Sequence, residues 1–252
     1  MPPEVAALSH LITLRMPRKG MRSLPATLCQ LVWLHTLDLR DNKLESLPIG
    51  FAQLTALHTL DLAGNSLEVF PPPLEALTQL VLLDLTSNCL SRMSYMIGRF
   101  LLAEAILLGG NALVVFPDSL GTMGTPVLAV INLSNNGLHK IPAALCSVVS
   151  LRRATFSGNA LSELPAQMGR LKHLEELWID FNEISLLPPT LGGWQALRHL
   201  YAHNNTLKTL PKRIVELVDL QTLTLSSNQA RLACLPCLPP RPICDPRRGG
   251  GC

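Results

Sequence analysis

Histidine and cysteine are the residues of this chain whose types and spacing could support metal chemistry. His199 and His203 lie four residues apart, and Cys234-x-x-Cys237, with two further cysteines behind it, superficially resembles the ligand spacing of a zinc site. The segment around these cysteines is rich in proline and has no strand pattern that would preorganise a metal site. The two histidines fall on a predicted strand and on the turn after it, where a surface binding role is the better interpretation. We therefore expect neither a metal nor a cofactor.

Catalytic motifs are missing from the sequence. It contains no glycine-rich phosphate loop with a lysine, no G-x-S-x-G and no H-E-x-x-H. Its 21 basic and 18 acidic residues leave a net charge of +3, which does not indicate a nucleic-acid partner. No uncharged apolar run reaches the ~20 residues that a membrane span requires. These observations predict a non-enzymatic protein with no small-molecule substrate, no nucleic-acid partner and no membrane span.

A repeat of 23 residues organises the chain and must position the remaining candidate residues. The copy from Leu34 to Pro48 reads L-x-x-L-x-L-x-x-N-x-L-x-x-L-P, and the same text returns along almost the whole sequence. The step between copies is once 25 residues, and we assign the two extra residues to a loosened loop over 121–126. The first residues of the ten copies are Leu11, Leu34, Leu57, Leu80, Ala103, Leu128, Leu151, Leu174, Leu197 and Leu220.

Self-similarity at this period predicts an α/β repeat solenoid. The leucines at the fourth and sixth places alternate with polar residues, as in a strand with one buried face. The Leu-Pro-x-x-Leu-x-x-Leu half suits short helical or 3₁₀ turns on the convex side. Over residues 1–230, beginning in the middle of a repeat, we expect a curved horseshoe with a parallel concave sheet of about ten strands. Residues 231–252 are rich in proline, glycine and cysteine and are predicted to form a disordered tail.

The asparagine at the ninth place of each copy is predicted to cap backbone groups in the turn after the strand, because its amide group both donates and accepts hydrogen bonds. Repeated in register, these side chains would form a ladder that satisfies peptide groups inside the solenoid. The predicted ladder comprises Asn42, Asn65, Asn88, Asn111, Asn136, Asn159, Asn182, Asn205 and Asn228.

The repeat resembles the leucine-rich repeats of intracellular scaffold proteins, in particular the Ras-suppressor-like, Ras–phosphatase scaffold and Scribble/Erbin-type arrays. The resemblance covers about residues 2–230 and rests on the text L-x-x-L-x-L-x-x-N-x-L-x-x-L-P-x-x-L-x-x-L. It implies a solenoid whose concave strand surface binds a protein partner. It does not indicate which partner, because the shared residues are the buried ones.

Trp178 and Tyr201 are the clearest candidates for a binding surface. They occupy the same strand place in adjacent copies and point away from the leucine core, and such aromatic residues are enriched at interface hot spots. Mutual stacking for packing alone is the competing interpretation. The predicted protein-binding set around them is Arg153, Glu176, Trp178, Asp180, Phe181, His199, Tyr201 and His203.

Asp38, Asp61 and Asp84 form a second candidate, an acidic column at one recurring strand place. One interpretation is that these carboxylates meet a basic partner. The other is that Leu-Asp-Leu is simply the strand text that the repeat prefers. Both interpretations place the three side chains on the concave face.

Cysteine usage and the first residues favour a cytoplasmic protein. No basic stretch followed by an apolar stretch opens the sequence, and Cys29, Cys89 and Cys146 are scattered singly through the repeats, unlike the cysteines of a disulfide-capped array. We therefore expect a cytoplasmic protein–protein interaction scaffold in signal transduction. The alternatives are a substrate-recruiting or regulatory subunit of an enzyme complex, such as a ubiquitin ligase or a phosphatase, and a fragment of an extracellular leucine-rich-repeat receptor.

Overall fold

The structure is a computed structural model that describes residues 7–122 and 127–229. Ten short strands form one parallel sheet, and their order in space follows their order in the chain. The predicted horseshoe with a ten-stranded concave sheet is thereby confirmed. The strands are β1 (Thr13–Arg15), β2 (Thr36–Asp38), β3 (Thr59–Asp61), β4 (Leu82–Asp84), β5 (Ala105–Leu107), β6 (Val130–Asn132), β7 (Arg153–Thr155), β8 (Glu176–Trp178), β9 (His199–Tyr201) and β10 (Thr222–Thr224).

The strands pair in register, so that each place of the repeat forms a column across the sheet. Leu37 pairs with Leu60, and Leu60 pairs with Leu83. These central residues are fully buried. Because side chains alternate along a strand, the first and third residues of each strand point to the opposite side. The sheet therefore presents leucines to the core and polar or aromatic columns to the concave face.

Short 3₁₀ helices line the convex side, and proline starts most of them. Pro48 stands before its helix in an extended conformation, at φ −63° and ψ 148°, where its missing N–H group loses no hydrogen bond. Ser94 takes the same place before a later helix, and its Oγ accepts a hydrogen bond from Met96 N at 3.1 Å, as a helix cap does. The 3₁₀ helices are Ala26–Gln30, Ile49–Gln53, Pro72–Ala76, Tyr95–Arg99, Ala143–Ser147, Ala166–Arg170, Pro189–Gly193 and Lys212–Glu216.

The loop predicted over 121–126 is helical at its start. An α-helix, α1 (Ser119–Thr122), includes Gly121 and replaces the 3₁₀ helix of the other repeats. It packs so closely against the next repeat that a Cβ atom at Gly121 would collide with the carbonyl group of Ala144. The longer repeat leaves the sheet undisturbed, because β5 still pairs with β6 in parallel register.

The nine ladder asparagines all make the same set of hydrogen bonds. Asn65 Oδ1 accepts a hydrogen bond from Leu44 N at 3.0 Å, and its Nδ2 donates to the carbonyl oxygens of Leu39 at 3.1 Å and Leu62 at 2.9 Å. Each side chain thus joins its own turn to the preceding repeat. Equivalent bonds recur from Asn42 to Asn228.

One hydrophobic core runs through the repeats. Leucine fills most of its places, but Trp194 stands where Leu54 stands in an earlier copy, directly after a 3₁₀ helix. Trp194 is fully buried, and its Nε1 donates a hydrogen bond to the carbonyl oxygen of Met168 at 2.7 Å. The predicted mid-repeat start lies partly outside the described residues. The predicted tail over 231–252 lies wholly outside them. Both therefore stay predictions.

Candidate protein-binding surface

Trp178 and Tyr201 form an aromatic shelf on the concave face. They are paired residues of β8 and β9, and their rings stack with centroids 3.7 Å apart and planes at 23°. His199, also on β9, lies nearly parallel to Tyr201 with ring centroids 6.4 Å apart. All three side chains are only partly buried. The stack is thus presented to solvent on a rigid sheet, which is the property of an aromatic anchor in an interface.

An ion pair lies beside Trp178 on the concave face. Arg153 Nη2 lies 2.7 Å from Glu176 Oε1, across β7 and β8. The hydrogen bond from Arg153 holds the pKa of the Glu176 carboxyl below its usual range, against the opposing effect of partial burial, and a hydrogen bond from the Trp178 side chain lowers it further. The carboxylate is therefore held by the arginine of the neighbouring strand and interacts with the Trp178 side chain at the edge of the shelf.

Asp180 and His203 lie beyond the shelf, toward the carboxyl ends of the strands. Ser157 Oγ donates to Asp180 Oδ1 at 2.6 Å, and His203 Nε2 lies 3.7 Å from Asp180 Oδ2. His203 Nδ1 is 3.2 Å from the hydroxyl of Thr224. The structure thus places Asp180 and His203, two residues of the predicted binding set, side by side. Asp180 is buried, so its carboxylate faces neighbouring side chains and not open solvent.

Phe181 stands out by its backbone conformation. Its φ angle is 54°, in the left-handed region that bulky residues rarely adopt. Gly158 and Asn204 hold the same place in the neighbouring repeats and tolerate this conformation better. The ring of Phe181 is 57% exposed and meets the ring of His203 edge to face, with centroids 5.2 Å apart. Neither the core nor the turn requires an aromatic side chain at this place.

The acidic column has a structural role in its own strands. Asp38, Asp61 and Asp84 each accept a hydrogen bond at Oδ1 from the backbone N–H group two residues later, at 3.2, 3.0 and 2.8 Å. Arg40 Nε lies 3.5 Å from Asp38 Oδ2. The column spans β2 to β4, whereas the aromatic shelf lies on β8 and β9. The sheet therefore keeps the two predicted candidates apart as separate surfaces.

Replacing Asp61 with asparagine is expected to stabilise the fold. Burial raises the pKa of the Asp61 carboxyl, the hydrogen bond from Ala63 N–H opposes this, and the charges of Asp84 and Asp38 raise it further. The folded state thus disfavours the charged form, a cost that is fully present at neutral pH and disappears below the pKa of the unfolded chain. Asn132 shows that an amide oxygen can accept the same backbone hydrogen bond, here from Ser134 N at 2.9 Å.

We expect Asp61→Asn to raise the free energy of unfolding by about 0.5 kcal/mol at pH 7, since it removes like charges on adjacent strands. Urea titrations at pH 7 and at pH 3 measure this effect. The gain should disappear at the lower pH. Asp61→Ala, which also loses the backbone hydrogen bond, should be destabilised instead, and an equal gain in both variants would contradict the explanation.

Sequence reasoning missed one ring pair, which lies immediately before β2 and β3. His35 and His58 stack with centroids 5.0 Å apart and planes at 10°. Their Nδ1 atoms lie 2.8 and 2.7 Å from the carbonyl oxygens of Trp33 and Ala56. The signal was present in the sequence, because the two histidines hold the same repeat place in adjacent copies, immediately before a strand.

The described residues offer no preassembled metal site or membrane helix. Over 7–122 and 127–229, no group of three or more His, Cys, Asp or Glu side chains is arranged to hold a metal ion. His199 Nδ1 lies 3.0 Å from Thr222 Oγ1, so this histidine, like His203, has a threonine partner on β10. Within the same ranges, no helix has the length and apolar character to cross a membrane.

Comparison with known proteins agrees with the repeat text. A family model described as "Leucine Rich repeats (2 copies)" matches residues 32–72, and one described as "Leucine rich repeat" matches residues 172–229. No curated protein gives a significant sequence match. The second match contains the complete aromatic shelf.

Solved structures share the architecture. The leucine-rich-repeat protein LIC12759 of Leptospira interrogans is 28% identical at a TM-score of 0.76, over 91% of this chain and 64% of that one. The ectodomain of the Arabidopsis thaliana membrane receptor kinase GASSHO1/SCHENGEN3, in complex with CASPARIAN STRIP INTEGRITY FACTOR 2, is 27% identical at 0.81, over 91% and 29%. The plant peptide hormone receptor RGFR1, in complex with RGF2, is 26% identical at 0.69, over 88% and 41%.

The chain spans less than two thirds of the length of each of these structures. Their similarity nevertheless extends over about nine tenths of this chain. The repeat text, the asparagine ladder and the parallel sheet of ten strands lead to the same fold. The chain has the fold of a leucine-rich-repeat solenoid, and two of its stretches match leucine-rich-repeat family models.

Proposed function

We propose that this chain is a non-enzymatic protein–protein interaction scaffold that binds a protein partner on its concave face, at the aromatic shelf. The observation that carries the proposal is the stacked pair Trp178–Tyr201, held on adjacent strands and left partly open to solvent. Preorganised aromatic side chains lose little conformational entropy on binding and contribute much of the energy of an interface. The left-handed backbone of Phe181 adds support, because the fold has no need of an aromatic ring there.

We further propose that the scaffold is cytoplasmic and of the Ras-suppressor-like or Scribble-like type. The Leu-Pro repeat text supports the type. Cys29, Cys89 and Cys146 are free thiols, and the first and last of them are buried within repeats. Such single thiols suit a reducing compartment.

Removing both rings of the shelf tests the proposed function. In affinity purification from cells, Trp178→Ala/Tyr201→Ala should weaken capture of a specific partner by at least about 30-fold, equivalent to about 2 kcal/mol for a pair of hot-spot residues. Trp33→Ala is the matched control, because Trp33 is 59% exposed and lies outside the strands. Circular dichroism must show an intact solenoid in both variants. Recovery of the same partners by the double variant would refute the proposed site.

A fragment of an extracellular receptor is the alternative favoured by two of the similar structures, since these are plant receptors in complex with CASPARIAN STRIP INTEGRITY FACTOR 2 and with RGF2. Two N-glycosylation sequons separate this alternative from the scaffold. They begin at Asn132 and Asn204. We expect glycosidase treatment of the protein from its natural cells to leave its mass unchanged. A mass decrease would favour the receptor fragment.

A substrate-recruiting or regulatory subunit of an enzyme complex, such as a ubiquitin ligase or a phosphatase, remains a form of the same binding function. The shelf would then hold the substrate or the catalytic subunit. Co-purification of a catalytic subunit with the wild-type chain, and its loss from the Trp178→Ala/Tyr201→Ala variant, would identify this form.

A further inference from the structure

Asn136 joins the 25-residue repeat to the next one, and it is the only ladder asparagine that is followed by glycine. Asn136–Gly137 is also the only Asn–Gly pair in the sequence. In the two neighbouring repeats, Ala112 and Ala160 follow the ladder asparagine. A Cβ atom at Gly137 would make only ordinary contacts, the nearest at 3.6 Å from the carbonyl oxygen of Leu113. The fold therefore does not require glycine at this place.

An asparagine followed by glycine can lose its side-chain amide without an enzyme. The backbone nitrogen of the glycine attacks Cγ of the asparagine, the new N–Cγ bond closes a succinimide ring, and the Cγ–Nδ2 bond breaks. Nδ2 leaves as ammonia and takes the proton of the attacking nitrogen. Water then opens the ring at either carbonyl group, which gives aspartate or isoaspartate. Glycine favours the attack because it has no Cβ atom to restrict the backbone.

The folded turn holds both reacting groups in hydrogen bonds. Gly137 N donates to the carbonyl oxygen of Leu113 at 2.8 Å, so its proton is held by the preceding repeat. Asn136 Oδ1 accepts a hydrogen bond from Leu113 N at 3.0 Å. Its Nδ2 donates to the carbonyl oxygens of Leu108 and Leu133, both at 3.1 Å. Ring closure would have to break these bonds, so the reaction requires the turn to open.

We propose that Asn136 is a site of spontaneous deamidation that reacts only when this turn opens, and that the modification then prevents the turn from closing. A carboxylate at position 136 has no hydrogen to donate to the carbonyl oxygens of Leu108 and Leu133, and its charge repels them. Isoaspartate also adds a methylene group to the main chain, which disturbs the stacking of the repeats. Unfolding of this repeat thus becomes irreversible in proportion to the time that it spends open.

Incubation of the full chain at mildly alkaline pH, folded in buffer and unfolded in guanidinium chloride, tests where the reaction occurs. Mass spectrometry of the proteolytic peptide that contains residue 136 measures the conversion. We expect conversion to be at least about tenfold slower in the folded chain, since this needs an opening free energy of only about 1.4 kcal/mol. The peptide that contains Asn159–Ala160 is the internal control and should convert far more slowly in guanidinium chloride. Equal rates at residue 136 in the two solutions would overturn the proposal.

Gly137→Ala separates the Asn–Gly chemistry from unfolding itself. In guanidinium chloride, where folding of the variant does not matter, its conversion at residue 136 should be at least about tenfold slower, equivalent to about 1.4 kcal/mol in activation free energy. After removal of the denaturant, the refolded fraction of the unchanged chain should fall in step with the converted fraction, as measured by circular dichroism. Gly137→Ala should refold to the same extent before and after the incubation. The proposal fails if the variant converts as fast as the unchanged chain, or if converted molecules refold as well as unconverted ones.

Discussion

Asn182→Ala is expected to lower the free energy of unfolding by about 3 kcal/mol, because one substitution leaves several buried backbone groups without partners. Asn182 Oδ1 accepts from Leu161 N at 3.0 Å, and Nδ2 donates to the carbonyl oxygens of Phe156 at 3.0 Å and Ile179 at 3.1 Å. The side chain is buried, so water cannot replace it without opening the turn. The substitution destabilises two repeats at once, because the Asn182 amide group joins its own repeat to the preceding one.

Asn228→Ala is the matched control for this prediction. Asn228 makes the equivalent bonds to Leu207 N and to the carbonyl oxygens of Ala202 and Leu225. It is only partly buried, so water can satisfy the freed groups and the loss should stay below about 1 kcal/mol. Urea unfolding monitored by circular dichroism measures both variants, and an unchanged m-value supports a common unfolding unit. Equal losses would contradict burial as the cause.

Trp194→Ala is expected to lower the free energy of unfolding by about 3–5 kcal/mol, which is the range for truncating a fully buried large aromatic residue. The substitution removes the ring that fills the convex core between two 3₁₀ helices and also frees the carbonyl oxygen of Met168. Differential scanning calorimetry should show a matching fall in the melting temperature. A loss below about 1 kcal/mol would mean that neighbouring leucines collapse into the cavity.

Trp194→Phe separates the two contributions. Phenylalanine keeps most of the apolar contact but cannot donate a hydrogen bond to Met168, so we expect a loss of about 1–3 kcal/mol. Trp33→Ala should have almost no effect on stability, because that ring is exposed. If Trp194→Phe lowers the free energy of unfolding as much as Trp194→Ala does, the hydrogen bond to Met168 contributes more to stability than the packing of the ring.

The repeat period made the fold predictable. A constant step of 23 residues fixes the strand register, and with it the columns in which Trp178 and Tyr201 become neighbours. The period does not determine how side chains orient within a column. The backbone hydrogen bonds of Asp38, Asp61 and Asp84, the link from Glu176 to Trp178, and the His35–His58 stack depend on local rotamers and neighbours.

Departures from the period were harder to predict. The longer repeat was expected to loosen into a loop, but α1 forms at its start and packs against the carbonyl group of Ala144. Trp194 was not singled out, because a tryptophan at a leucine place has no distinctive spacing. Its hydrogen bond to Met168 becomes visible only when the two convex turns are placed side by side.

The left-handed conformation at Phe181 sets stability and recognition against each other at one residue. An L-residue pays roughly 1–2 kcal/mol for this backbone geometry, and asparagine or glycine would relieve much of that cost. A screen for thermostability should therefore discard the phenylalanine, whereas a screen for partner affinity should retain it. Selection for stability and selection for affinity would therefore favour different residues at position 181. The residue that is recovered shows which of the two properties was selected.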